Sequence, residues 1–283
     1  MGSAKHYCFR NTIDRTRRNR KVFIMKILAL GDIVGPKSVE ELGKKLWSYR
    51  KENKIDFVVA NGENASRGNG LDPDSAQNIL DYGVDVITSG NHIWQKNSLR
   101  DFLDSNKNIV RPINFPSTSA GSGYTIVDCS GYKMLVINVS GTIYMESLSC
   151  PFDAVERVLE KEKGNYDVSV LDIHAEATSE KYALARYFDG KIDVVFGTHT
   201  HVPTADNQVL PGGTGYITDL GMCGPKNSIL GVRSEIIIEK LRTKMPVRFE
   251  FDEENIVFNG AIFDVDVDTS GRVTVNSVKR AEF

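Results

Sequence analysis

The chain reads as an α/β domain built on a mixed or doubled β-sheet. From Met25 onward, short β-branched runs alternate with amphipathic stretches, which is the pattern of sequential βα units. In the last quarter, strand-like runs follow one another without helices between them. No repeat, low-complexity tract or linker-like shift in composition interrupts residues 25–283, so a single domain is expected there.

In chain order, residues 26–30 form an apolar strand that runs into Gly31-Asp32. Pro36, favoured at a first helical position, opens a helix to about Asn53, with Val39, Leu42, Leu46 and Tyr49 at three- and four-residue steps. Residues 55–60 form the second strand, followed by a Gly- and Asn-rich loop over 61–70. Asp72 then caps a short helix starting at Pro73. Residues 84–88 form the third strand and 94–104 a helix. Residues 124–128 and 132–139 make a hairpin-like pair around the Ser130-Gly131 turn. A helix over 152–163, a strand over 167–173, a helix over 179–188 and a strand over 192–196 continue the alternation. Strands are then expected at 215–218, 234–240, 247–251, 261–267 and 272–278, with Asp268-Thr269-Ser270-Gly271 as a hairpin turn.

Composition limits the function classes. With 283 residues, 41% hydrophobic and 25% charged, the chain can bury a sizeable core without disulfides and lies far from disordered compositions. No apolar run approaches the roughly 18 residues of a membrane span. The formal charge of −2 is uneven, with +6 on residues 1–24 and −8 on the remainder, which argues against an extended duplex nucleic-acid surface. Cys8, Cys129, Cys150 and Cys223 are scattered without C-x-x-C spacing, as expected of reduced thiols in a cytoplasmic protein. The basic start followed by residues 22–30 has the outline of a secretory signal. Lys26 interrupts that apolar run, however, and cleavage would remove the first core strand. Met25 looks like a natural start, with residues 1–24 a disordered or non-native extension.

The informative pattern stands at the strand ends. Five runs finish in ligand-capable residues: Gly31-Asp32; Asn61-Gly62-Glu63-Asn64; Ser89-Gly90-Asn91-His92; Asp172-Ile173-His174-Ala175-Glu176; and Gly197-Thr198-His199-Thr200-His201. In open α/β sheets the carboxyl ends of the strands converge on one ligand-binding edge. Of the five histidines, His92, His174, His199 and His201 lie at these ends, and His6 lies in the extension. Singly, each feature has a structural explanation. Asp32 could be a cap or turn residue, Glu63-Asn64 a loop brace, and His174 a hydrogen-bonded histidine beside Glu176. His199 and His201 are two apart on an extended segment, so both imidazoles can face one locus. Together, five such ends point to a site.

Carboxylates (Asp32, Glu63), amide oxygens (Asn64, Asn91) and imidazoles (His174, His199, His201) suit borderline divalent metals and lack the thiolates of a structural zinc site. Seven ligands exceed the need of one tetrahedral ion. Two ions sharing a bridging carboxylate are the natural count, an arrangement suited to in-line displacement at phosphorus.

At the motifs G-D-I-V-G, N-G-E-N, S-G-N-H, D-I-H-A-E and G-T-H-T-H, the sequence resembles the calcineurin-like metallophosphoesterases, and within them the YmdB-like branch of 2',3'-cyclic nucleotide phosphodiesterases. The resemblance covers residues 25–283. It implies a four-layer sandwich in which two mixed β-sheets pack face to face, flanked by helices. It would place Asp32, Glu63, Asn64 and His201 on one ion and Glu63, Asn91, His174 and His199 on the other, with Glu63 bridging. His92 would be a non-ligand general acid at the leaving oxygen. The expected reaction is attack of a water-derived hydroxide on the phosphorus of a cyclic nucleotide. The cofactors would be two divalent ions, iron or manganese first, with zinc, cobalt, nickel and magnesium as the other candidates. Most of the superfamily carries Asp-x-His after the first strand, whereas Asp32-Ile33-Val34 offers no imidazole and Glu63 stands for the usual bridging Asp. Arg111, Asn114 and Cys223 are candidate substrate contacts on the same edge. Two other readings stay open: a phosphomonoesterase on a small metabolite, and a metal-binding regulator acting through a protein or RNA partner. A bacterial, cytoplasmic protein without a membrane partner, and a homo-oligomer, completes the expectation.

Overall fold

In the computed structural model, which describes residues 23–283, two β-sheets lie face to face with helices on their outer sides. β1 (Phe23–Leu30) starts three residues before the expected strand, because Phe23 and Ile24 still pair with Val267 and Asp266. Residues 1–22, including His6, Cys8 and most of the expected extension, lie outside the described residues.

The first sheet has the order β2 (Asp32–Ile33), β11 (Met222–Pro225), β12 (Ile256–Val267), β1, β3 (Phe57–Asn61), β4 (Val86–Thr88), with β13 (Val273–Glu282) also on β12. The second has the order β5 (Tyr124–Cys129), β6 (Tyr132–Ser140), β7 (Val168–His174), β8 (Val194–Thr198), β10 (Gly215–Ile217), β9 (Gln208–Val209). β1, β3 and β4 are parallel, as are β6, β7, β8 and β10, so their carboxyl ends share an edge in each sheet.

Strand alternation builds the layers. On β1, Met25, Ile27 and Ala29 face the seam between the sheets, where they meet Phe57, Val59, Met134, Val170, Phe196 and Phe263. Leu28 and Leu30 face outward onto α1 (Pro36–Asn53) and α2 (Pro73–Asp81), packing with Leu42, Leu46 and Ile79. On the far side Leu135, Leu171 and Val195 pack on α4 (Pro151–Lys161) and α5 (Thr178–Tyr187). The Asp72 cap is present, its carboxylate accepting from the Ser75 N–H at 2.8 Å.

Three expectations need correction. The helix over 94–104 is split into a 3₁₀ turn, Ile93–Gln95, and α3 (Leu99–Ser105), because Lys96 is extended. The strand over 234–240 is the helix α6 (Ser234–Thr243): none of its isoleucines is fully buried and no strand lies beside them, while Glu235 in the first turn and Lys240 and Arg242 in the last suit the helix dipole. No strand spans 247–251; Phe251 makes only an isolated bridge to Val232. No described helix is long and apolar enough to cross a membrane.

Candidate metal centre

The five strand ends meet at one edge of the seam. Asp32 follows β1, Glu63 and Asn64 follow β3, and Asn91 and His92 follow β4. From the other sheet come His174 at the end of β7, and His199 and His201 after β8. Asp32, Glu63 and His174 are fully buried or nearly so. Glu63, His174 and His199 place ligand atoms within 4.8 Å of one another.

Hydrogen bonds behind the ring nitrogens decide which ones face inward. The Thr198 hydroxyl donates to Asp172 Oδ1 at 2.8 Å, so its oxygen accepts from His174 Nδ1 at 2.9 Å and leaves His174 Nε2 as the inward lone pair. Glu176 Oε2 lies 3.1 Å from His199 Nε2, which leaves His199 Nδ1 inward. His174 Nε2 then has His199 Nδ1 at 3.0 Å, Asn91 Oδ1 at 3.0 Å and Glu63 Oε1 at 3.1 Å. Four acceptors face one another, and only a cation satisfies such a set. In the second locus His201 Nδ1 meets the Leu230 carbonyl at 3.3 Å, and its Nε2 lies 3.7 Å from Asp32 Oδ1. Asp32 Oδ1 is buried without a hydrogen bond, while Oδ2 accepts the His199 N–H at 3.0 Å. An orphaned carboxylate oxygen opposite an imidazole nitrogen whose other polar neighbour is the Asn64 amide at 3.4 Å is a second place that a divalent ion fits.

The electrostatics agree. Burial disfavours the charged form of His174, yet Glu63, Asp32 and Asp172 outweigh it and raise its pKa to about 9. A proton therefore serves where a metal would, and metal binding must displace it. His199 is pushed down to about 4 by burial and then by the His174 charge. Burial works against ionised Asp32 and Glu63, but His201 and His174 hold Asp32, and His174 holds Glu63, below the usual carboxylate range. Asp172, which also accepts from Thr88 and Asn61, is lifted to about 6 by burial.

Backbone geometry fixes the ligands. His199 and His201 have φ of 98° and 65°, a region costly for residues with a Cβ. Beneath them the buried pair Lys181–Asp219, 2.6 Å apart, holds the segment: Lys181 donates to the Thr198 carbonyl, and Asp219 accepts from the N–H and hydroxyl of Thr200. Gly90 has no room for a side chain, because a Cβ there would overlap the His174 ring atoms Cδ2, Nε2 and Cγ. Gly90→Ala is expected to lower stability by about 1–3 kcal/mol and to reduce metal bound per chain. Thermal denaturation and elemental analysis check this, and wild-type values in both would refute the close approach.

His92 sits beside the carboxylates rather than among the inward nitrogens. Its N–H donates to Glu63 Oε2 at 2.8 Å, and its Nδ1 meets Asn64 Oδ1 at 2.8 Å. Asn64 Nδ2 faces Glu63 Oε1 at 3.2 Å and His201 Nε2 at 3.4 Å. Each of the three expected substrate contacts hydrogen-bonds to backbone groups. Asn114 bridges the Ser140 backbone and the Ser149 carbonyl, and buried Cys223 donates to the Asn259 carbonyl. The Arg111 guanidinium donates to the carbonyls of Ala120, Pro112 and Ser119, on the wall of a different cavity.

The family described as YmdB-like protein matches residues 28–278. A 2',3'-cyclic-nucleotide 2'-phosphodiesterase of Bacillus subtilis (strain 168) is 40% identical over 254 residues, covering 90% of this chain and 96% of that protein. A Thermus thermophilus crystal structure described as a hypothetical protein superposes with TM-score 0.84 at 37% identity, covering 92% of this chain and 99% of that one. The crystal structure of a phosphatase from Mycoplasma pneumoniae gives TM-score 0.84 at 32% identity, covering 93% and 94%. A family match across nearly all the described residues, with relatives above 30% identity over nine-tenths of the chain, means that this chain belongs to the YmdB-like family of metallophosphoesterases.

Proposed function

We propose that this chain is a di-metal phosphodiesterase that opens 2',3'-cyclic nucleotides. The observation that carries the reading is the set of inward acceptors around His174 Nε2 beside the orphaned Asp32 Oδ1, two adjoining places for cations. Asp32, Glu63, Asn64 and His201 would hold one ion and Glu63, Asn91, His174 and His199 the other, with Glu63 serving both. Iron or manganese suits this mixed oxygen and nitrogen set. Divalent ions so placed polarise a phosphoryl oxygen and acidify water. The substrate class follows from the B. subtilis relative.

The chain's own residues supply the rest. His92 Nε2 gives a proton to the departing ribose oxygen while its Nδ1 is held by Asn64. As the amide stands, Asn64 Oδ1 accepts from His92 Nδ1–H at 2.8 Å, so the imidazolium keeps its second N–H, on Nε2, for the departing oxygen and becomes neutral imidazole once that proton is given. Residues 25–283 act as one cytoplasmic domain, assembled as a homo-oligomer.

The test compares initial rates on 2',3'-cyclic AMP, 3',5'-cyclic AMP and p-nitrophenyl phosphate, for wild type and His92→Ala. The first substrate is expected to be fastest, with His92→Ala lowering its turnover about 10²- to 10⁴-fold at unchanged metal content. The Mycoplasma pneumoniae relative is named a phosphatase, so the monoesterase is the second reading, and fastest turnover of p-nitrophenyl phosphate would establish it. Metal loss in His92→Ala would instead make His92 a ligand.

A further inference from the structure

Apart from the metal centre, a cavity of about 570 Å³ opens between the 111–124 segment and α4. None of the metal-centre residues lines it, and neither does any Asp or Glu. Three cations do: Arg111, Arg157 and Lys161. Arg111 is only 4% exposed and makes no ion pair among the described residues. Its three bonds to carbonyls use three of five N–H donors, leaving one on each terminal nitrogen. A buried guanidinium with no carboxylate beside it is costly unless an anion completes it. Arg157 and Lys161 lie one turn apart on α4 and repel each other at that spacing. Lys161 is partly balanced: it donates to the Tyr124 hydroxyl at 2.8 Å and lies 3.9 Å from Glu162. Arg157 is exposed and makes no ion pair among the described residues. Phe115 and Tyr124 complete the wall with ring surface, and the volume is that of a small-ligand site.

We propose that this cavity is a second, non-catalytic binding site for a phosphomonoester on a small organic body, its dianion held by Arg111, Arg157 and Lys161. The two spare guanidinium N–H groups, one on each terminal nitrogen, can donate to a phosphate, and the rings of Phe115 and Tyr124 offer the organic body an apolar bed. The site stands whether or not the reaction proposed above is correct, because it shares no side chain with the metal centre.

The test is hydrogen exchange on the metal-loaded protein with 5'-AMP or 3'-AMP as probe. Protection over residues 111–124 and α4 is expected from at least one of them. The tighter of the two tells whether the ligand is of the 3'-product type or another phosphomonoester. Arg157→Glu/Lys161→Glu should weaken binding there by about tenfold or more, while initial turnover of 2',3'-cyclic AMP stays within about twofold of wild type. Arg157→Gln alone, at an exposed position, should weaken binding in the same direction if the double variant folds poorly. Absence of protection in wild type, protection that survives charge reversal in a folded variant, or a collapse of basal turnover would each overturn the proposal. The last would make the cavity part of the substrate path.

Discussion

Glu63→Gln is expected to lower turnover by about 10³-fold or more and to leave the protein with less than its full metal complement. The substitution keeps the shape of a nearly buried side chain and its acceptor for the His92 N–H, so the fold is retained. What changes is the charge opposite His174 and the oxygen proposed to serve both ions. Losing one ion's share of transition-state stabilisation, several kcal/mol, gives the magnitude. Metal per chain by elemental analysis and kcat on 2',3'-cyclic AMP measure it. Full metal content with near-normal turnover would remove Glu63 from the centre.

Lys181→Met should cost about 3–5 kcal/mol, because it leaves Asp219 ionised, buried and without its cation. For a chain of this size, a melting temperature lower by roughly 6–20 °C is expected. The sign of the pH dependence follows from Asp219, whose carboxyl burial already raises. A carboxyl with a raised folded-state pKa contributes stability below its unfolded pKa and loses it as pH rises through the folded value. The deficit of Lys181→Met should therefore shrink on acidification. Lys181→Met/Asp219→Leu should recover much of the melting temperature without restoring metal affinity, because the Thr200 N–H and hydroxyl then lack the acceptor that sets His199 and His201. A single variant as stable as wild type at neutral pH would show that the pair does not brace this segment.

The order of βα units and the convergence of five strand ends were legible because both are local: periodicity, caps such as Asp72, and polar residues directly after apolar runs. What stayed hidden depends on partners distant in sequence. Lys181 reads as an ordinary helix-surface lysine until Asp219, thirty-eight residues on, is beside it. Asp172 had a usable signal, since it stands two residues before His174 on one strand and so shares its face, yet its link through Thr198 crosses to another strand. α6 misled because three consecutive isoleucines favour a strand, and only the missing neighbour strand lets the helix prevail. Arg111, Asn114 and Cys223 lie near the right edge, but each turns to backbone groups that no motif announces.

The residues proposed to hold the ions divide between the two halves of the sandwich: Asp32, Glu63, Asn64 and Asn91 follow strands of one sheet, and His174, His199 and His201 belong to the other. A cation gripped from both sides acts as a rivet through the molecule. Without it the halves would part at this rim first, held together by the apolar seam farther down. Local opening and metal release would then be one event, so metal supply would also set how long this rim stays shut.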